Sequence, residues 1–307
     1  MGPLLLPSSY STLALGLVFL IGVNWNHMGW SCPLECSCLN LKVNCQGKGL
    51  DHVPDSFPLT TRELILTNNY FKSIPPLEIT YLHELVYLDC SHNLIELDGD
   101  TSFPASEKLA YLDLSHNRLT DILSRTFSQL PRLVLLNISS NPMIKKIHED
   151  AFVPVPILRY LDASFCGLDT LTVNTFDHLN DLHTLGIKGN PWDCNCTFLE
   201  FSNWLRQTIR GHGHAKPRIE LIDQEQITCK TPPKVEGWPV FSAEDEIHHD
   251  CLLHVAITDL LLLGLITFCI FIGGTAVAWL IGMITVVFHH PVMKVGDESD
   301  DDDEFKI

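Results

Sequence analysis

Along the middle of the chain, apolar and polar positions recur in one fixed phrase. It reads TRELILTNNYF from Thr61, LVYLDCSHNLI from Leu85, LAYLDLSHNRL from Leu109, LVLLNISSNPM from Leu133, LRYLDASFCGL from Leu158 and LHTLGIKGNPW from Leu182. The starts are 24, 24, 24, 25 and 24 residues apart, a period that marks stacked repeats. Within a copy, Leu112 and Leu114 alternate along a short strand, so both point inward. Asn117 turns the chain and supplies hydrogen bonds that a coil would otherwise lack. Leu119, Ile122, Phe127 and Leu130 then fill the return path. No single coil can bury this set, so neighbouring coils must supply the core. Each buried Leu or Phe contributes about 1.5–3 kcal/mol, offset by ordering entropy.

The phrase LxxLxLxxNxL resembles the leucine-rich repeat. It predicts a leucine-rich repeat solenoid of six repeats over residues 61–190, with short parallel strands and an irregular convex side. The ends of such a stack expose apolar residues and need caps. Cys32, Cys36, Cys38 and Cys45 cluster at 31–60, and Cys194, Cys196, Cys229 and Cys251 at 191–251. Both groups of four suit disulfides in an oxidising compartment, with three connectivities open for each. Trp192 and FLEFSNWLRQ (198–207) predict a covering helix at the rear. Cys90 stands where Leu114 stands one repeat later and reads as a small hydrophobe. Cys166 takes the place of the turn Asn.

Two apolar blocks flank this region. Residues 12–23 (TLALGLVFLIGV) are too short for a spanning helix and fit the core of a signal peptide over 1–30, with cleavage between Asn24 and Trp30. Leu260 to Phe288 contains no acidic, basic or His residue over 29 positions. At ~1.5 Å per residue it exceeds the ~30 Å hydrocarbon core, which predicts one transmembrane helix over 260–288, tilted or projecting past the lipid. Residues 252–259 are expected as a juxtamembrane linker. The 289–307 segment, with seven acidic residues against Lys294 and Lys306, is expected as a solvated cytoplasmic tail. Together these predict a single-pass type I protein of the plasma membrane with its repeats outside.

A net charge of −17 argues against a nucleic-acid partner. His212, His214, His248 and His249 lack the further ligands a metal needs and read as loop histidines. The chain has no nucleophile motif, phosphate loop or paired acid and base, so no enzyme and no cofactor are expected. Outward strand positions form columns: Tyr87, Tyr111 and Tyr160; Asp89, Asp113 and Asp162; Ser91, Ser115, Ser139 and Ser164. We read these as repeat-determined and solubilising before reading them as a ligand surface. Asn137-Ile-Ser139 and Asn195-Cys-Thr197 are glycosylation sequons, and a glycan on Asn137 would stand in the middle of the concave face. In the apolar block, Gly274, Ala278 and Gly282 recur every fourth residue, with Gly273 beside them. Small residues on one helix face allow another membrane helix to approach closely.

The order of signal, cysteine cap, six repeats, cysteine cap, span and short tail resembles the leucine-rich auxiliary gamma subunits of large-conductance, calcium- and voltage-activated potassium channels. ELVYLDCSHNLI (84–95), GNPWDCNCTFLEF (189–201) and FCIFIGGTAVAWLIG (268–282) look like the gamma2 type; the acidic ending and PPKVEGWPVFS (232–242) look like the gamma3 type. The resemblance implies the pairings Cys32–Cys38, Cys36–Cys45, Cys194–Cys229 and Cys196–Cys251. It also implies a partner, the pore-forming channel subunit (calcium-activated or the related sperm channel). The span would bind it within the lipid and shift activation to more negative voltage. Family members with strong effects carry several basic residues after the span; here only His289, His290 and Lys294 stand there. The alternative is an adhesion or receptor-like protein that binds an extracellular partner through its repeats.

Overall fold

A computed structural model describes residues 32–97, 102–210 and 218–288. The expected signal peptide, His212, His214, His289, His290, Lys294 and the acidic tail lie outside the described residues. The chain divides into two compact units, one ending at His248 and the other beginning at His249.

The first unit is a solenoid. Each copy of the phrase forms a three-residue strand: β3 (Glu63–Ile65), β4 (Tyr87–Asp89), β5 (Tyr111–Asp113), β6 (Leu135–Asn137), β7 (Tyr160–Asp162) and β8 (Thr184–Gly186). A short helix, α1 (Pro76–Thr80), lies between β3 and β4. The strands pair in parallel, Glu63 with Tyr87, Tyr87 with Tyr111, Tyr111 with Leu135, Leu135 with Tyr160 and Tyr160 with Thr184. The pairing thus follows the sequence period, including the single 25-residue step. Each central strand buries its middle residue and leaves its neighbours half-buried. Leu88, Leu112, Leu136, Leu161 and Leu185 form the inner ladder.

Behind that ladder runs an aromatic file. Phe127 stacks on Phe152 at 6.4 Å, and further along Phe176 meets Phe201 at 5.9 Å and Trp204 at 4.8 Å. The file therefore continues from the repeats into the rear cap. There Trp192 is fully buried, and α2 (Phe198–Arg210) buries Phe198, Leu199, Phe201 and Leu205. This is the covering helix expected over 198–207, three residues longer.

The caps also extend the sheet, which repeat periodicity does not reveal. At the front, β1 (Ser37–Leu39) and β2 (Lys42–Asn44) make an antiparallel hairpin, and β2 pairs in parallel with β3. At the rear, β10 (Glu220–Leu221) adds in parallel to β8. A separate two-stranded pair joins β9 (Trp192–Asp193) to β11 (Cys229–Thr231). Disulfides Cys32–Cys38 and Cys36–Cys45 fasten the front cap, and Cys194–Cys229 the rear. Cys196 and Cys251 are both disulfide-bonded.

The last element is α3 (Val240–Phe288). Its first turns bury Val240, Ala243 and Ile247, spaced to share one helical face. Arg206 of α2 pairs with Glu244 and donates to the Phe241 carbonyl at 3.0 Å, holding this start against the cap. Residues 252–259, expected as a linker, are instead helical. The segment LLHVAITD has no Gly or Pro to stop a helix, so the conformation propagates.

Candidate functional site: an apolar helix and a concave strand face

The second unit presents an apolar cylinder. Leu260, Phe271 and Trp279 are each about two-thirds exposed, at 70%, 67% and 67%. Residues Val240–Val286 include a stretch long and apolar enough to cross a membrane. Its hydroxyls are satisfied internally: Thr267 donates to the Gly264 carbonyl, Thr275 to Ile272 and Thr285 to Gly282, at 2.8–2.9 Å. That suits lipid, where no water completes a polar group. A Cβ placed on Gly264, Gly273, Gly274 or Gly282 would meet nothing within 4 Å. The glycines therefore open gaps on the helix surface that no described residue of this chain fills.

At about 100° per residue, Gly264, Thr267, Gly274, Ala278, Gly282 and Thr285 fall within an arc of about 80°. Phe271 interrupts this row. Gly273, singled out with them from the sequence, stands about 100° beyond Gly274 and lies outside this face. Gly264, Thr267 and Thr285 extend the face beyond the four positions singled out from sequence. They join it by steps of three (Gly264 to Thr267, Gly282 to Thr285) and seven (Thr267 to Gly274), which line up on a helical wheel.

In the first unit, the Tyr and Asp columns stand half-buried on the sheet face, whereas Ser91, Ser115 and Ser164, expected as outward and solubilising, are buried just after their strands; hydrogen bonds to the turns account for this placement. Asp89 Oδ1 accepts from Ser91 N at 2.9 Å and Ser91 Oγ at 2.6 Å. Asp113 and Asp162 each accept from the Ser N two residues on, at 2.9 Å. These carboxylates thus secure the turn after each strand. Tyr87 stacks on Tyr111 with centroids 4.2 Å apart, and desolvation by burial raises the pKa of both phenols. His92 stacks on His116 at 4.0 Å, both at positive φ. Desolvation, then the neighbouring His92, lowers the His116 pKa.

Asn137 takes the Asp position on β6, in register with Asp113 and Asp162. Its Oδ1 accepts from Ser139 N at 3.1 Å and Oγ at 2.7 Å, while its Nδ2 donates to Asp113 Oδ2 at 3.0 Å. Asn195 is exposed; its Oδ1 accepts from Thr197 N, Thr197 Oγ1 and Phe198 N, where α2 begins. Cys90 and Cys166 are buried free thiols; burial pushes Cys166 up to about 12 and Cys90 well above its usual value. Cys166 Sγ donates to the Ile138 carbonyl at 3.4 Å, taking over part of the turn-Asn role. His248 and His249 are exposed neighbours on α3, and no group of metal-ligating residues occurs among the described residues.

These features define a class: a disulfide-capped leucine-rich repeat solenoid with one helix long and apolar enough to span a membrane. The leucine-rich repeat family model matches residues 60–119 and 107–168, and the leucine-rich repeat N-terminal domain matches 31–58. Leucine-rich repeat-containing protein 52 of Mus musculus is 38% identical over 275 residues, covering 89% of this chain and 85% of the relative. Its Homo sapiens counterpart is 40% identical over 274 residues, with the same coverage of 89% and 85%. Leucine-rich repeat-containing protein 55 of Mus musculus is 35% identical over 290 residues, covering 94% of each. The chain belongs to the leucine-rich repeat protein family that includes leucine-rich repeat-containing proteins 52 and 55.

Proposed function

We propose that this chain is an auxiliary, gamma-type subunit of a large-conductance, voltage-gated potassium channel, calcium-activated or the related sperm channel. It binds the pore-forming subunit through its apolar helix and moves activation to more negative voltage. The observation that carries this reading is the face formed by Gly274, Ala278 and Gly282, open to a partner. It occurs in a chain that resembles the gamma subunits over nearly its whole length. In this reading the mature chain is a type I plasma-membrane protein, glycosylated on Asn137 and Asn195, without enzymatic activity.

The energetics require only a difference in affinity. A subunit that prefers the activated sensor tenfold favours it by about 1.4 kcal/mol. One gating charge moving through 100 mV corresponds to about 2.3 kcal/mol, so such a preference shifts a one-charge sensor by about 60 mV. His289, His290 and Lys294 replace a run of permanent cations, so the size of the shift depends on cytoplasmic pH as the histidines charge. Co-purification of the full chain with candidate channel subunits tests the partnership. Retention by a chain reduced to 252–307 assigns it to the span. Loss of retention there, with specific cell binding by residues 32–251, favours the adhesion reading instead.

A further inference from the structure

The tyrosine column on the concave face has a gap beside a sequon. Tyr87 covers one face of Tyr111; on the other side the next strand offers Leu135, and Tyr160 follows beyond it. Neighbouring strands lie about 4.8 Å apart, so Tyr111 and Tyr160 stand on strands about 10 Å apart, with the half-buried Leu135 between them. Asn137 is two residues along the same strand, on the same face, about 7 Å away. One hydrogen of its Nδ2 points to Asp113 Oδ2 at 3.0 Å, leaving the other position for a sugar while that bond is kept. Across the gap Asp162 leans away: its Oδ1 lies 2.2 Å from where a Cβ on Gly186 would stand. The absence of a side chain at Gly186 thus makes room for the carboxylate, which clears the space beside Asn137.

We infer that the N-linked glycan of Asn137 folds back onto the concave face. Its first sugar residues lie over Leu135 between Tyr111 and Tyr160. The apolar face of a pyranose meets the two rings and Leu135, and its hydroxyls donate to the Asp113 carboxylate. The solenoid would then use its own carbohydrate to fill the surface that related folds offer to ligands. This inference concerns the first unit alone and stands or falls independently of a channel partner.

The experiment uses the full glycosylated chain in detergent, treated with peptide N-glycosidase under native conditions, each site followed by mass spectrometry of its glycopeptide. Release from Asn137 is expected to be about tenfold slower than from the exposed Asn195, because the enzyme cleaves only the undocked fraction. Unfolding before treatment should equalise the two rates. Tyr160→Ala should speed native release from Asn137 and leave Asn195 unchanged, the latter showing that the variant is folded. Asn137 without glycan, equal native rates at both sites, or a Tyr160→Ala chain whose Asn137 rate is unaltered would each overturn the inference.

Discussion

Asn117 holds four backbone groups from two adjacent coils at one point. Its Nδ2 donates to the carbonyls of Cys90, Leu114 and Ser115 at 3.0–3.1 Å, and its Oδ1 accepts from Ile95 N at 2.9 Å. Asn93 and Asn141 repeat the arrangement in adjacent coils. Asn117→Ala would leave several buried groups unpaired and is expected to cost about 2–4 kcal/mol of stability, read by urea unfolding of the full chain. Asn117→Cys should cost less, since Cys166 already donates to a carbonyl in the equivalent place. The buried thiols give a second expectation at this scale. Protonated and shielded at neutral pH, Cys90 and Cys166 should resist maleimide in the folded chain and react after denaturation. Mass spectrometry of the labelled peptides reads this directly; labelling of either in the native chain would contradict its placement.

Among the elements, those with a physical reason inside their own residues were legible from sequence. The six strands follow from Leu and Asn at fixed offsets, and the rear helix from an apolar face over 198–207. The hairpin β1–β2 is not, because SCL and KVN are too short and lie outside the repeat phrase; pairing of β2 with β3 supplies the reason. Nor was β10, two residues completed only by the edge of β8. The helical conformation of the linker residues 252–259 follows from continuity, since no residue there stops a helix. The small-residue face is half legible: the four-residue spacing of Gly274, Ala278 and Gly282 shows in the sequence, whereas Gly264, Thr267 and Thr285 join it by mixed steps of three and seven that a helical wheel brings into line. That face carries the prediction at this scale. Gly274→Leu together with Ala278→Leu should fill the groove and reduce channel co-purification, while Trp279→Leu, about 100° away from Ala278, should not. Equal retention of all variants would show that the partner helix approaches elsewhere.

At the scale of the whole molecule, two units divide the work. The solenoid is a disulfide-fastened stack whose concave side chains mostly secure their own turns. The apolar helix keeps its hydroxyls satisfied and its glycine gaps unfilled, a surface suited to another helix in lipid. The proposed function accordingly assigns the channel contact to the span and leaves the repeats as a separately folded domain. The direct measurement is the half-activation voltage of the large-conductance potassium channel, recorded in excised patches with and without the full chain at matched channel expression. A shift to more negative voltage, reduced by Gly274→Leu with Ala278→Leu, is the expected result. An unchanged half-activation voltage across cytoplasmic pH, with the chain present at the surface, would contradict it.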